Sequence, residues 1–500
     1  MKNKSWSTLI ALTLCAQVAT AQTPEKAQEN QRPRQEVPVL SEQQIGEIQD
    51  PTGLKRLMVV YQRTGDFQRL AWVLERLVVL FPNHGDYKFA LAVSYAQLAD
   101  KSKTYDLLLR MKAQGFGYDL SGDKRFEKVS DTRVWEYVVE NLKSNLAQFG
   151  EGKVAFELPQ GDTLFETIGW DPKRKQFLVG SAREGKVYRA DAKGKLSDFI
   201  SADADNGMWS VYALAVDAER DLLYVASSAS VFFKNFKQDD FGKAGVFKFR
   251  LSTGKLIERY LLQEGGVHTL SSITVGKGGQ MFVADGVRNA IYRIEGGELK
   301  LVATDPNLTS IRGLAVSDDG KLLFFADYTL GIFGVHLASG TGFALKYDPE
   351  ALVLGGIDGL YWYDGTLVTI ASGMAPKRVV RLSLSPDGTS ISRIMPLDVA
   401  NPAFALPTYG TIADDNLYFI ANSQKKAYGQ YGEPKNLFEL RAVKVFRSDL
   451  RFAWNEAGVA TSGVPVRQAS FEEGMKLMQT PPTLLDPPKP APVEKTGKDD

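Results

Sequence analysis

Six copies of one strand-turn-strand unit, preceded by a helical stretch, predict an all-β six-bladed β-propeller behind an N-terminal all-α domain of helical hairpins. The copies are "IGWDPKRKQFLVGS", "ALAVDAERDLLYVASS", "SITVGKGGQMFVADG", "GLAVSDDGKLLFFADY", "GLYWYDGTLVTIASG" and "GTIADDNLYFIANS". Each is an apolar strand, a polar turn and a second strand ending near Ser, Asp or Asn, and third strands such as "GKVYRAD", "AIYRIEG" and "GIFGVHL" follow. Recurrence every roughly 40 to 60 residues marks small antiparallel sheets repeated around an axis.

The chain opens on "MKNKSWSTLIALTLCAQVATA", in which Lys2 and Lys4 precede an apolar core and Ala19-Thr20-Ala21 forms a small-x-small cleavage signal. A signal peptide over 1–21 is therefore expected, with a periplasmic or secreted mature chain starting near Gln22. Cys15 is the only cysteine, and Leu14 before it is too large for lipoprotein processing. The mature chain then has no disulfide, thiolate nucleophile or thiolate metal site. Residues 22–49, with "TPEKAQENQRPRQEVP", read as a flexible leader. Residues 457–500, ending in "TPPTLLDPPKPAPVEKTGKDD", read as a Pro-rich disordered tail.

Lys and Arg total 60 against 59 Asp and Glu, a net charge of +1. Such balance gives no broad field for nucleic acid or anionic lipid. After the signal, no apolar run approaches the roughly 20 residues of a membrane span. The expected partner is a small molecule or another protein, with no nucleic acid and no membrane insertion.

Residues 50–150 show helical spacing. In "LKRLMVVYQRTGDFQRLAWVLERLVVLFPNHGD" two amphipathic runs flank the Gly65-Asp66 turn. The next stretch, "YKFALAVSYAQLADKSKTYDLLLRMKAQGFG", superposes on it with Tyr61 on Tyr95, Asp66 on Asp100 and Leu74 on Leu108. That shift of about 34 residues is the tetratricopeptide period, and the region resembles that family. Pro82 falls where such repeats carry a helix-ending Pro. "DLSGDKRFEKVSDTRVWEYVVENL" reads as a capping segment, and two hairpins plus a cap are short enough to lean on the next domain. The module reads either as a groove for a protein partner or as a spacer, and docking is the expectation kept. His84 reads as a turn residue.

The propeller is expected over 154–456. Ring closure protects the first and last edges, and "KVAFELP" and "AVKVFRSDLRFAW" are the candidate closing strands. "FFKNFKQDDFGKAG" in the second blade reads as a loop over one face, a lid or a decorated hairpin. Counting back four residues from the last apolar residue of each inner strand gives Glu166, Tyr212, Ser271, Arg312, Asp358 and Thr408. Innermost strands line the central channel, so these six are expected to converge on one ring.

The phrases "FETIGWDP", "IRGLAVSDDGKLLFFAD" and "IDGLYWYDG" resemble the blade starts of the regucalcin, senescence-marker-protein and gluconolactonase propellers, over roughly Phe156 to Leu450. That resemblance implies one divalent cation, calcium or zinc, held by a Glu, an Asn and an Asp, with a second Asn at the substrate and lactone hydrolysis as the activity. Glu166 matches the Glu and Asp358 the Asp, whereas Arg312 stands at the metal-binding Asn and Ser271 at the substrate Asn. A guanidinium has no lone pair for a metal. It also repels a unit positive charge at about 4 Å by roughly 4 kcal/mol at an effective dielectric of about 20. No cofactor is therefore expected, and the cation only if the family site survives.

Three roles follow for Glu166, Arg312 and Asp358, which are expected to form an ion-pair triad. They staple the blades, or Arg312 presents its fork to a carboxylate or phosphate with Tyr212 and Trp209 as walls. In the third role Arg312 stabilises an oxyanion and Asp358 or Glu166 is the base of a lactone or ester hydrolase. His268 reads as packed or at the channel mouth, and His336 as structural. No Gly-rich phosphate loop, nucleophile elbow or dinucleotide fingerprint is present. The expected function is binding of a small anionic or sugar-derived ligand, or a partner, at the channel; the alternative is a gluconolactonase-type hydrolase.

Overall fold

The computed structural model describes residues 39–263 and 265–452. The expected signal peptide, the leader up to residue 38 and the Pro-rich tail lie outside them. Described residues from Ser41 onward belong to one compact unit.

Six α-helices come first: α1 (Glu42–Gly46), α2 (Pro51–Thr64), α3 (Phe67–Leu80), α4 (Gly85–Gln97), α5 (Lys101–Ala113) and α6 (Arg133–Ser144), with a 3-10 turn over Lys124–Val129. The helical part thus starts inside the stretch read as leader. Ser41 and Gln44 form a capping box that holds α1 in place. Asp50 caps α2 through Thr52 and Gly53 N–H groups, with Pro51 at the first helical position, where its missing N–H costs nothing. The internal repeat is matched at two caps, where Asp66 caps α3 and Asp100 caps α5, but not at α2 and α4, where Asp50 caps and His84 does not. Gly65 and Ala99, at matching positions, both turn through positive φ.

The apolar faces of α4, α5 and α6 form a core with the 3-10 turn that is continuous with that of the propeller. Leu108, Phe126, Trp135 and Leu142 share one core with Phe324, Leu354, Leu367 and Met374 of the fourth and fifth blades. The linker is pinned as well: Gly152 N–H donates to Asp398 Oδ1 at 2.9 Å, and Phe149 pairs with Val399.

The rest is six four-stranded sheets. Their innermost strands are Phe165–Asp171, Ser210–Asp217, Leu270–Val275, Ile311–Val316, Ile357–Tyr363 and Gly410–Ala413, in blades 1 to 6. Those of blades 1 and 2 are buried nearly throughout because each sheet is sandwiched between two neighbours. The sixth blade is composite: Gly410–Ala413, Asn416–Ile420 and Val443–Asp449 are completed by Lys153–Leu158, which pairs antiparallel with Val443–Asp449. Both candidate closing strands therefore sit in the blade that seals the ring.

The recurring Ser, Asp or Asn has a structural task. Asp285 accepts from the N–H groups of Thr269, Val287 and Arg288, and Asp327 from those of Thr309, Ser310, Thr329 and Leu330. One carboxylate thus joins the approach to the inner strand to the turn that leaves the second strand. Without it several buried donors would go unpaired.

Candidate ligand-binding site at the channel mouth

Each inner strand of blades 1 to 5 carries an irregularity at the same place. The pairing register shifts between Phe165 and Thr167, Val211 and Ala213, Leu270 and Ser272, Ile311 and Gly313, and Ile357 and Gly359. The skipped residues are Glu166, Tyr212, Ser271, Arg312 and Asp358. A bulged residue is released from the ladder and its side chain is re-aimed, so one device repeated five times heads the channel with those side chains.

Blade 6 differs. Its inner strand is only Gly410–Ala413, and Thr408 lies two residues ahead of it, buried, with a hydroxyl that has no hydrogen-bond partner among the described residues. Tyr409 stands beside the ring: burial raises the pKa of its hydroxyl, with Arg312 opposing and Asp358 adding to the rise. The adjacent Gly410 N–H donates to the Tyr361 hydroxyl at 2.6 Å.

Arg312 donates from Nη1 to Asp358 Oδ1 at 3.3 Å and from Nε to Ser310 Oγ at 3.0 Å. Its guanidinium carbon lies 5.0 Å from the centre of the Tyr328 ring. Burial works against its charge, yet Tyr409 and Asp358 hold its pKa above the ordinary value. Asp358 also accepts a short hydrogen bond from Ser372. Burial raises its pKa, with Arg312 and Ser372 opposing.

Glu166 is not the third member of an ion-pair triad. It sits across the ring in blade 1 and accepts from Ser423 Oγ at 2.6 Å. Burial raises its pKa, against the pull of Lys425 and Ser423. Tyr212 shares a hydrogen bond of 2.7 Å with Ser230, and burial pushes its hydroxyl up to about 12. Ser271 donates to the Ile311 carbonyl at 2.7 Å, so its hydroxyl ties blade 3 to blade 4.

Trp209 is placed elsewhere. It packs edge-on against Phe247, 6.1 Å between centres, in the core between blades 1 and 2. His268 is buried with Nδ1 2.6 Å from Asp285 Oδ2, and His336 leans on Phe343 at 5.1 Å. His84 stacks on Tyr87 at the start of α4.

Two loops roof half of the ring. Residues 229–243 of blade 2 and 421–442 of blade 6 meet over blade 1, where Leu164, Ala182, Tyr212, Tyr428 and Leu440 form an apolar cluster with Phe232 against it. Arg183, 2% exposed, joins them: it grips Asp162 at 2.7 and 2.9 Å, donates to the Phe232 carbonyl at 2.9 Å and reaches Glu433 at 3.2 Å. Gly432 passes so close to the Val231 carbonyl that a Cβ would lie 1.9 Å from its oxygen. The roof buries Glu166 and Tyr212, while Arg312 keeps 34% of its side chain open. Below the ring the channel holds a cavity of about 410 Å3, bounded by Thr167, Ala213, Ser272, Trp362 and Tyr409.

The donor set does not fit the cation of the resembled family. A hard divalent ion needs an oxygen cage of six or more ligands. The ring offers two carboxylates, one of them already paired with a guanidinium. Among the described residues no group of three or more His, Cys, Asp and Glu side chains is placed to hold a metal ion.

Ser372, Ser423, Tyr328, Tyr409 and Lys425 complete the site beyond the residues anticipated. Ser372 and Ser423 belong to the Ser, Asp or Asn ends of the repeat, "ASG" and "ANS". Tyr328 follows the equivalent Asp327. The repeat therefore marked Ser372, Ser423 and Tyr328 as strand ends, but not Tyr409 or Lys425.

No family model matches the chain, and no curated protein matches it. Solved structures do. PQQ-bound aldose sugar dehydrogenase from Streptomyces coelicolor is 14% identical, with 60% of this chain and 99% of that chain covered and a TM-score of 0.39. An oxidoreductase (glucose dehydrogenase) from Thermus thermophilus is 16% identical, over 60% and 100%, with a TM-score of 0.40. A gluconolactonase from Xanthomonas campestris is 12% identical, over 61% and 92%, with a TM-score of 0.39.

Proposed function

We propose that this protein binds a small carboxylated, sugar-derived ligand at the channel mouth, with Arg312 as its anchor. One observation carries the reading: of the three charged ring residues, Glu166 and Asp358 are buried, whereas Arg312 is only partly so, with 34% of its side chain exposed. A planar guanidinium grips a carboxylate through two parallel hydrogen bonds. Here the fork is held from behind by Ser310, Asp358 and the Tyr328 ring, so little freedom is lost on binding. No cation takes part in this proposal.

Calorimetric titration with D-gluconate, D-glucuronate and N-acetylmuramate, against neutral methyl glucoside, tests it. Wild type should prefer the anions, and Arg312→Ala should weaken them by about ten- to a hundredfold, the worth of a charge-assisted bond. Equal binding of neutral and anionic sugars, or an unchanged Arg312→Ala, would sink the proposal.

Lactone or ester hydrolysis is the second reading. It draws on the raised carboxyl pKa of both Glu166 and Asp358, an arrangement common to acid and base groups. Turnover of a lactone panel that disappears in Asp358→Ala supports it, and a wild type silent on the panel removes it.

A further inference from the structure

The cavity of about 410 Å3 below the ring opens on the face of the propeller away from the roof loops. Its lining runs down the inner strands from Thr167 and Tyr409 to Pro172, Ala218 and Gly276, which stand just past the strand ends of blades 1 to 3. At roughly 3.3 Å per residue, the step from a ring residue to the fourth one after it descends about 13 Å. The cavity therefore has a mouth of its own, well below Arg312, which takes no part in the lining.

Two zones follow from the order of residues along the strands. Four positions after Glu166, Tyr212, Ser271 and Asp358 come Trp170, Val216, Val275 and Trp362, all half-buried and all in the lining. They form an apolar collar at the mouth. Each indole is backed by a phenylalanine, Trp170 by Phe177 at 4.6 Å and Trp362 by Phe324 at 5.8 Å between ring centres, which fixes both rings in place.

Above the collar the lining carries hydroxyls. Those of Thr167, Ser272, Thr274 and Thr411 make no hydrogen bond among the described residues, yet none of them is sealed away from open space. Thr167 and Ser272 are themselves buried, so the cavity is where their hydroxyls open. A hydroxyl both donates and accepts, and its natural complement is another hydroxyl. The charged lining residues Lys277 and Asp318 are exposed at the rim and pair with each other at 2.9 Å, which leaves the cavity with no preference for either sign of charge.

We infer that this lower mouth is a second binding site, for a neutral molecule with a hydroxylated head and an aromatic tail, an aryl glycoside in kind. The head enters first and exchanges hydrogen bonds with Thr167, Ser272, Thr274 and Thr411. The tail stays in the collar against Trp170 and Trp362, whose rings favour an aromatic partner. The volume lies within the range of small-ligand pockets. None of this draws on Arg312 as a carboxylate anchor.

The test titrates the full chain calorimetrically with phenyl β-D-glucoside and methyl β-D-glucoside, one head on two tails. Wild type should bind the phenyl compound, and the methyl compound at least about tenfold more weakly, because a methyl group buries little apolar surface in the collar. Ser272→Ala and Thr411→Val each remove one hydroxyl with little change of shape and should weaken the phenyl glucoside about fivefold. Trp170→Leu should weaken it about tenfold; the two hydroxyl variants carry the test if that one does not fold. Equal affinity for the two glucosides, no binding of either, or hydroxyl variants that bind like wild type would overturn the inference. So would displacement of the phenyl glucoside by D-gluconate, which would put it at the ring instead. The anchor reading is tested by anionic sugars and Arg312→Ala, and it stands or falls separately.

Discussion

Asp398 is the buried carboxyl with the clearest consequence for stability. Burial lifts its pKa to about 6, with the Ser448 hydroxyl and Gly152 N–H opposing. Because the folded value is raised, the native state prefers the neutral acid. The contribution of Asp398 to stability is greatest below the ordinary carboxylate range, where this group is protonated in folded and unfolded chains alike. It falls as pH rises from about 4 through 6, a loss of about 3 kcal/mol. Asp398→Asn keeps an acceptor for Gly152 and should flatten that decline, so urea melts at pH 4.5 and 7.5 should differ less in the variant than in wild type. Single residues of the ring were legible to the extent that strand counting works. Five positions fell on bulged residues. The sixth landed on Thr408 rather than Tyr409, because the Gly410–Ala413 strand is too short to count along. Ser423 was beyond counting: its bond to Glu166 joins residues 257 apart.

Among the elements, the two roof loops depend on Arg183. Its guanidinium is buried, and its bonds to Asp162, Phe232 and Glu433 hold loops from different blades. Arg183→Ala leaves Asp162 without that partner in a half-buried place, and breaking a buried pair costs about 3 kcal/mol. The expected result is faster tryptic cleavage after Lys425, Lys426 and Lys435, followed by mass spectrometry. Unchanged cleavage would mean that the apolar cluster of Tyr428, Leu440 and Tyr212 holds the roof unaided. The insertion in blade 2 was visible as a polar break rich in Phe, but its companion in blade 6 was not. "SQKKAYGQYGEPKNLFELRA" has the turn chemistry of any loop, and only the fold brings it beside the first. The early helix Glu42–Gly46 was hidden for a related reason, since five residues carry too little periodicity to register.

On the scale of the whole molecule, helices and propeller behave as one body because the core of α4, α5 and α6 runs on into that of blades 4 and 5. The helical repeat was readable from its spacing, but periodicity does not say which surface covers an apolar face. Asn83 concentrates three bonds of that contact in one side chain. Asn83→Ala should cost about 2 kcal/mol through the unpaired Leu354 N–H and Leu330 carbonyl. Hydrogen exchange in 328–330 and 352–356 should quicken, while that of the Lys153–Leu158 strand stays slow. Equal acceleration in both places would argue for global destabilisation instead.

The composite sixth blade sets an order of events during synthesis. Lys153–Leu158 leaves the ribosome early, yet its partner Val443–Asp449 comes almost last. At ordinary elongation rates that is a wait on the order of a quarter of a minute to a minute with an unpaired edge. The waiting strand is suited to it, since it carries Lys153 and Glu157 as charged, solvent-facing positions of the kind that deter edge-to-edge association. The ring therefore closes only after Asp449 has been made, and a nascent chain that stops short of it has every blade but the sealed one.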